Sequence, residues 1–235
     1  MDDAKMRILA AGNLLSSDAG IPPEVMDDVL DAALFSQLYA DRAISRFDSS
    51  VDWLQQYDKA MQQLKWMSST SRRRAFTPQK DASVVVEALV KSELMNFLPG
   101  EQVEEFGQMM TCMGSMAQET EISLVFRQRT VRAPVDVPGR SDVFLQIGSL
   151  EPGIKLSSLL VTFSTTSEIE HDLWRQALSG ATFVGEVQVY FQQREWSPAD
   201  NKIVRGKPVQ DFLTGKKEGT ILPISCETPE EDSDG

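Results

Sequence analysis

The apolar residues of this chain change their spacing near residue 118, and that change constrains the fold more than any other feature. Before it they recur every three or four positions. Trp53, Tyr57, Ala60, Leu64 and Met67 step along one helical face, and Leu54 and Met61 widen the stripe. After it they alternate. Ile122, Leu124 and Phe126 do so, as do Val143, Leu145 and Ile147, then Leu159, Val161 and Phe163, then Val187, Val189 and Phe191. A period of two is the mark of a strand. Helices in one block and strands in another predict an α+β protein rather than a parallel α/β sheet. The expected architecture is an N-terminal bundle of four to five helices over residues 1–118. It packs on a mostly antiparallel β-sheet or sandwich with one short helix over 119–225, and an acidic tail follows at 226–235. No linker rich in Pro, Gly or Ser separates the halves, so they are expected to pack as one unit.

Local signals place the elements. Pro22-Pro23 suits a helix entry, and the acids Glu24, Asp27 and Asp28 suit its first turns, so a helix is read from Pro23 to Arg46. Asp48, Ser49 and Ser50 are caps for the helix that carries the Trp53–Met67 seam. A seam of two heptads points to packing inside one molecule more than to an oligomer zipper. Ser68 to Lys80 reads as a loop, followed by a helix from Asp81 to Phe97 and another from Glu101 to Met116. The second of these carries Met109, Met110 and Met113. Ser167 with Glu170 resembles a capping box for a short helix, Glu168 to Leu178. Ile203 to Lys207 reads as a returning strand. Residues 121–129 echo 186–194 at Glu, Phe, Gln and Arg, an echo that two independent amphipathic strands would also produce.

The net charge of −12 disfavours nucleic acid as a partner. One stretch runs against it: residues 65–80 hold Lys65, Arg72, Arg73, Arg74 and Lys80 and no acid. Its functional reading is a site for anionic lipid head groups or an acidic protein surface; its structural reading is a solvated connection neutralised by acidic helices. The start of the chain is acidic and its first apolar stretch is short, so no signal peptide is expected, and no apolar run approaches the ~18 residues of a membrane helix. Two distant cysteines, Cys112 and Cys226, do not form a disulfide framework and are expected to be free thiols. A cytoplasmic location follows, with secretion by a route lacking a cleaved signal left open.

Motifs for chemistry are sparse. The one histidine, His171, sits among Glu168, Glu170 and Asp172 and reads as a surface residue. No clustered Cys and His suggest zinc, and no glycine-rich phosphate loop is present, so no catalytic residue, metal or cofactor is assigned. The leading expectation is a non-enzymatic binding protein that acts through protein contacts, with another protein or with itself. Candidate binding residues are Arg72, Arg73 and Arg74, the seam aromatics Trp53 and Tyr57, the neighbouring Trp66, and the strand-end aromatics Tyr190 and Trp196. The alternative is a membrane-active toxin or effector whose helical half rearranges at a bilayer. A third reading, a carboxylate-based hydrolase, requires a cleft holding two close acids, one with a raised pKa.

Overall fold

The computed structural model describes residues 6–225. The chain opens with a hairpin, β1 (Met6–Ala10) and β2 (Asn13–Ser17). Its two-residue turn puts Ala11 at φ 49° and Gly12 at φ 92°, the double positive φ of a tight hairpin turn. A Cβ on Gly12 would also lie 2.4 Å from Cβ of Arg129. Two helices follow, α1 (Pro23–Ala43) and α2 (Ser50–Gln63). Ser49 caps α2 by accepting from the Asp52 N–H, as its sequence leads one to expect. Next come β3 (Met67–Phe76), β4 (Ser83–Val85), α3 (Val86–Leu94), α4 (Gly100–Ser115) and α5 (Glu121–Thr130). The second half supplies β5 (Val131–Arg132), β6 (Ser141–Glu151), β7 (Lys155–Thr165), β8 (Ala177–Ser179) and β9 (Phe183–Glu195). It closes with α6 (Asn201–Val204), α7 (Lys207–Leu213) and β10 (Ile221–Pro223).

The fold is mixed α and β, with one large sheet in the order β10-β1-β2-β6-β7-β9-β3; β5 adds to β6, and β4 and β8 form a separate ribbon. Within the large sheet β2 and β6 run parallel, and the other pairs are antiparallel. Helices and strands interleave along the chain. Strands from residues 6–76 share the sheet with β6, β7 and β9, so the large sheet is not the property of the second half alone. Two apolar cores lie on its two faces. One packs α3, α4 and α5 against Val143, Leu145, Leu159, Val161 and Phe191. The other packs α1, α2, α6 and α7 against Phe144, Leu156, Leu160 and Tyr190. The result is a sheet between two helical layers.

Several expectations are corrected. Ser68–Lys80 is mainly strand, β3, because its Ser, Thr and Arg side chains project from an outer edge and need no apolar period. Residues 121–130 form helix α5, not a strand: Ile122 and Phe126 share one helical face, and Thr120 accepts from the Ser123 N–H as its cap. The echo between 121–129 and 186–194 is therefore no structural repeat, since one copy is α5 and the other lies in β9. Residues 168–178 do not build the short helix. The Gln176 side chain donates to the Glu168 carbonyl and accepts from the Glu170 N–H, closing an irregular turn. Residues 203–207 belong to the α6–α7 region, not to a strand. Cys112 is disulfide-bonded rather than a free thiol. Cys226 and the acidic tail lie outside the described residues. No helix among the described residues is long and apolar enough to cross a membrane.

Candidate functional site

The alternation of side chains along β6, β7 and β9 gives the sheet two unlike faces. One row crosses the sheet toward α3–α5 as Leu14, Ile147, Leu159 and Phe191. The next row on that face pairs Leu145 with Val161 and Val161 with Val189. All of these side chains are apolar and buried. The row on the opposite face, under α1 and α2, runs Asn13, Gln146, Leu160 and Tyr190, and ends at Arg73 of β3. Beside it Ser158 pairs with Gln192, and Thr162 with Gln188. A sheet covered by helices on both sides normally carries apolar residues on both faces. Here the face under α1 and α2 mixes apolar residues, Phe144, Leu150, Leu156 and Leu160, with hydrogen-bonding ones, although it is buried.

The polar face is incompletely satisfied. Both side-chain polar atoms of Asn13, Oε1 of Gln146, and the hydroxyls of Tyr57 and Tyr190 are buried without a hydrogen-bond partner among the described residues. The Tyr57 hydroxyl lies toward Gln146, yet neither completes a bond of normal geometry. Burial raises the Tyr57 pKa above its ordinary value. A buried unsatisfied polar group costs about 1–3 kcal/mol. Where the face is satisfied, the partner comes from α2. Asp58 pairs with Arg194, whose side chain is 3 % exposed, and also accepts from Gln192 at 2.8 Å. Arg194 further donates to Ser158 and lies 5.3 Å from the Tyr57 ring centroid. This cluster fastens α2 to the polar face.

A second set of ion pairs sits at the other end of the strands. The Asp142 carboxylate accepts from Arg132 at 2.9 Å, Arg140 at 2.7 Å and Ser164 at 2.7 Å. Burial alone would raise its pKa, but the bonds from Ser164, Arg132 and Arg140 outweigh that and hold it below the ordinary value. Arg132 also binds Asp48 at 2.5 Å. Asp48 and Asp142 line a cleft of about 290 Å³ with Ser50, Thr162 and Ser164. A general acid needs a raised carboxyl pKa. The displaced carboxylate here moves the opposite way, so the cleft gives the hydrolase reading no support. His171 is half-buried, with Nε2 2.8 Å from the Met116 carbonyl oxygen, rather than fully on the surface. No group of three or more metal-ligating side chains occurs among the described residues.

The arginines lie on the opposite edge from β10. Strand β3 is exposed along nearly its whole length. Arg72 and Arg74 point to the α3 side and Arg73 to the α1–α2 side, as the pairing with Phe191, Val189 and Tyr190 requires. Arg74 binds Glu93 at 2.6 Å. Arg73 lies 5.2 Å from the Tyr190 ring centroid and donates to Gln188. Arg72 has no ion-pair partner among the described residues. Of the other sequence candidates, Tyr190 meets this edge through Arg73, and the aromatics as a group are buried. Trp53, Tyr57, Trp66, Tyr190 and Trp196 are all buried, Tyr190 the least so at 6 % exposed. Trp53 and Tyr57 stack on each other and Trp53 packs edge-on to Phe144, while Trp66 stacks on Trp196. They are core residues. What the sequence reading missed is the polar row, whose signal was present in the Gln, Ser and Thr residues that alternate with the apolar ones in β6, β7 and β9.

No protein-family model matches the chain, and no curated protein matches it. Among solved structures, a delta-endotoxin aligns at 10% identity and a TM-score of 0.43, over 79% of this chain and 83% of that one. The structure of the Evf virulence factor aligns at 6% identity and a TM-score of 0.33, over 88% and 80%. Likenesses this distant carry no argument about what this chain does.

Proposed function

We propose that the protein is membrane-active and that its sheet, rather than its helices, meets the bilayer. The observation that carries this reading is the buried sheet with one apolar face and one on which polar side chains are interspersed among apolar ones. A polar face with unsatisfied groups is a poor partner for α1 and α2 and a good partner for water. The apolar face suits lipid as well as it suits α3–α5. Strands β6, β7 and β9 are consecutive in the sheet and 11, 11 and 13 residues long. A membrane-spanning strand needs about 9–11 residues and the same alternation of apolar and polar side chains. In this reading the helical layers are covers that move away, and the meander inserts. The test is leakage of dye-filled vesicles, neutral and anionic, at neutral and acid pH, with hydrogen exchange on the bound protein. Leakage is expected, with exchange rising in α1 and α2 while β6, β7 and β9 stay protected. An absence of leakage in every condition removes the reading.

A second reading keeps the protein-contact function. Its support is the exposed edge of β3, whose outward N–H and C=O groups are open to another strand, and whose arginines favour an acidic one. The buried aromatics no longer contribute to it. Arginine-to-glutamate substitutions in β3 that leave every protein contact unchanged would count decisively against it.

A further inference from the structure

We infer that the cleft between the start of α2 and the bulged start of β9 is a binding site for a neutral sugar. The inference goes beyond both readings above and rests on neither. Three features of the cleft lead to it.

The first is construction. β7 and β9 pair residue for residue from Lys155 with Glu195 to Thr162 with Gln188, and resume at Ser164 with Val184. Gly185, Glu186 and Val187 therefore stand where β7 has Phe163 alone. A bulge of this kind interrupts the ladder and re-aims a side chain, and bulges are over-represented beside active sites. Gly185 takes φ 78°, a left-handed conformation that glycine adopts at no steric cost. The residues on either side of it, Val184 and Glu186, both line the cleft, together with Asp48, Ser50 and Val51 at the start of α2.

The second feature is the mixture of donors and acceptors. Asp142 is engaged by Arg132, Arg140 and Ser164, so it holds the two arginines in place and leaves the ligand to others. The open acceptors are Oδ2 of Asp48 and Oε1 of Glu186, neither of which takes a hydrogen bond among the described residues. The open donors are the Ser50 hydroxyl, which accepts from Thr162 at 3.4 Å and keeps its own hydrogen, and the N–H groups of Ser50 and Val51, which precede the first bonds within α2. A ligand that satisfies both sets must donate and accept at once, as a sugar hydroxyl does. The charges nearly balance: Asp48, Asp142 and Glu186 stand against Arg132 and Arg140. An anion would meet two open carboxylates, and a metal ion would find no group of three ligating side chains among the described residues.

The third feature is size and apolar wall. The cleft volume of about 290 Å³ lies at the lower end of ligand pockets, roughly 300–1,000 Å³. It suits one or two sugar rings rather than a long chain. The lining also includes Val51, Val143 and Val184, and Val184 is 42 % exposed. A sugar ring carries C–H groups that gain by leaving water against such valines, while its hydroxyls turn to Asp48, Glu186 and Ser50. A purely apolar ligand would cover the two carboxylates without bonding them, which is costly.

The test is titration of the full chain with the methyl glycosides of glucose, galactose and mannose and with maltose and lactose, followed by amide NMR. The expected result is a saturable shift of the Ser50, Val51, Val184 and Glu186 amides with at least one of these sugars. Asp48→Asn and Glu186→Gln should each weaken binding roughly tenfold, the loss of a hydrogen bond to a charged acceptor. Glu186 is exposed and makes no ion pair among the described residues, so its variant keeps the fold; circular dichroism checks both. Lys202→Ala, exposed on α6 beyond the other end of β9, should bind as the parent does. Glucuronate and choline chloride are the charged probes. The inference is overturned if none of the sugars moves these amides, if neither cleft variant alters the binding, or if a charged probe binds more tightly than every neutral sugar. Two further arms identify the source of the sugar. Phosphatidylcholine vesicles with and without a glucosyl diacylglycerol test a membrane lipid, and a soluble glucan tests a polymer. Binding to either one that is weakened by Glu186→Gln supports the inference, and binding that ignores this variant counts against it.

Discussion

Individual residues show which contacts hold the layers together. Asp58 is the clearest case. It answers Arg194, a guanidinium buried beneath α2, and ties Gln192 into the same cluster. Removing one partner of a buried ion pair leaves a charge without compensation, which typically costs about 3–5 kcal/mol. Ser158 and Gln192 keep part of the hydrogen bonding of Arg194, so Asp58→Ala should cost about 2–4 kcal/mol. Chemical denaturation measures this, and the same variant should release dye from vesicles faster than the parent because α2 is less firmly fastened. Asp142 gives a prediction in pH. Its folded pKa lies below the unfolded value because the bonds from Ser164, Arg132 and Arg140 overcome the penalty of burial. A depressed carboxylate stabilises the fold at pH values above its unfolded pKa, near 3.9. That contribution is lost as pH falls below this value and through the folded pKa. Melting temperature should therefore drop steeply below about pH 4 in the parent and less steeply in Asp142→Asn, which starts from a lower plateau.

At the scale of elements, the sequence was legible where a single physical signal dominated. Pro22 and Pro23 with the following acids mark the start of α1, and Ser49 marks α2; both begin where these residues place them. The strands β6, β7 and β9 follow their alternating apolar residues. The misreadings come from competing signals. In α5 the residues Ile122 and Phe126 are two apart from Leu124 and also four apart from each other. Leu124 proves to be 57 % exposed, so the helical period is the one that buries surface. In β3 there is no period to read, since an edge strand exposed along most of its length needs no continuous apolar face. The hairpin of β1 and β2 was hidden because β2 is buried on both faces, and a strand of that kind shows a short apolar run instead of alternation. The burial of the candidate aromatics was hard to read for a related reason. Sequence places Trp66 beside the helical seam and Trp196 near a strand end, but only the pairing of β3 with β9 brings them together as a stacked pair.

Across the whole molecule, the unusual property is that the fold buries polar side chains on a sheet face beneath helices. Two helical layers bury both faces, yet one face carries Asn13, Gln146 and Tyr190 with polar atoms that find no partner among the described residues. If folding alone shaped that face, replacing these groups by apolar ones would be favourable, because removing an unsatisfied buried group recovers its desolvation penalty of about 1–3 kcal/mol. The membrane-active reading explains why they are retained: the face that is covered by α1 and α2 meets water once those helices leave. Gln146→Met tests this directly, since methionine is similar in volume and adapts to irregular space. The folded protein should gain about 1–2 kcal/mol, seen as a higher denaturation midpoint. Vesicle leakage should become slower, both because the covered state is more stable and because the uncovered face has lost a hydrogen-bonding group. A variant that is more stable but leaks at the parental rate would show that the polar row plays no part in membrane action. One that is less stable would show that Gln146 is better satisfied in the folded state than its geometry indicates.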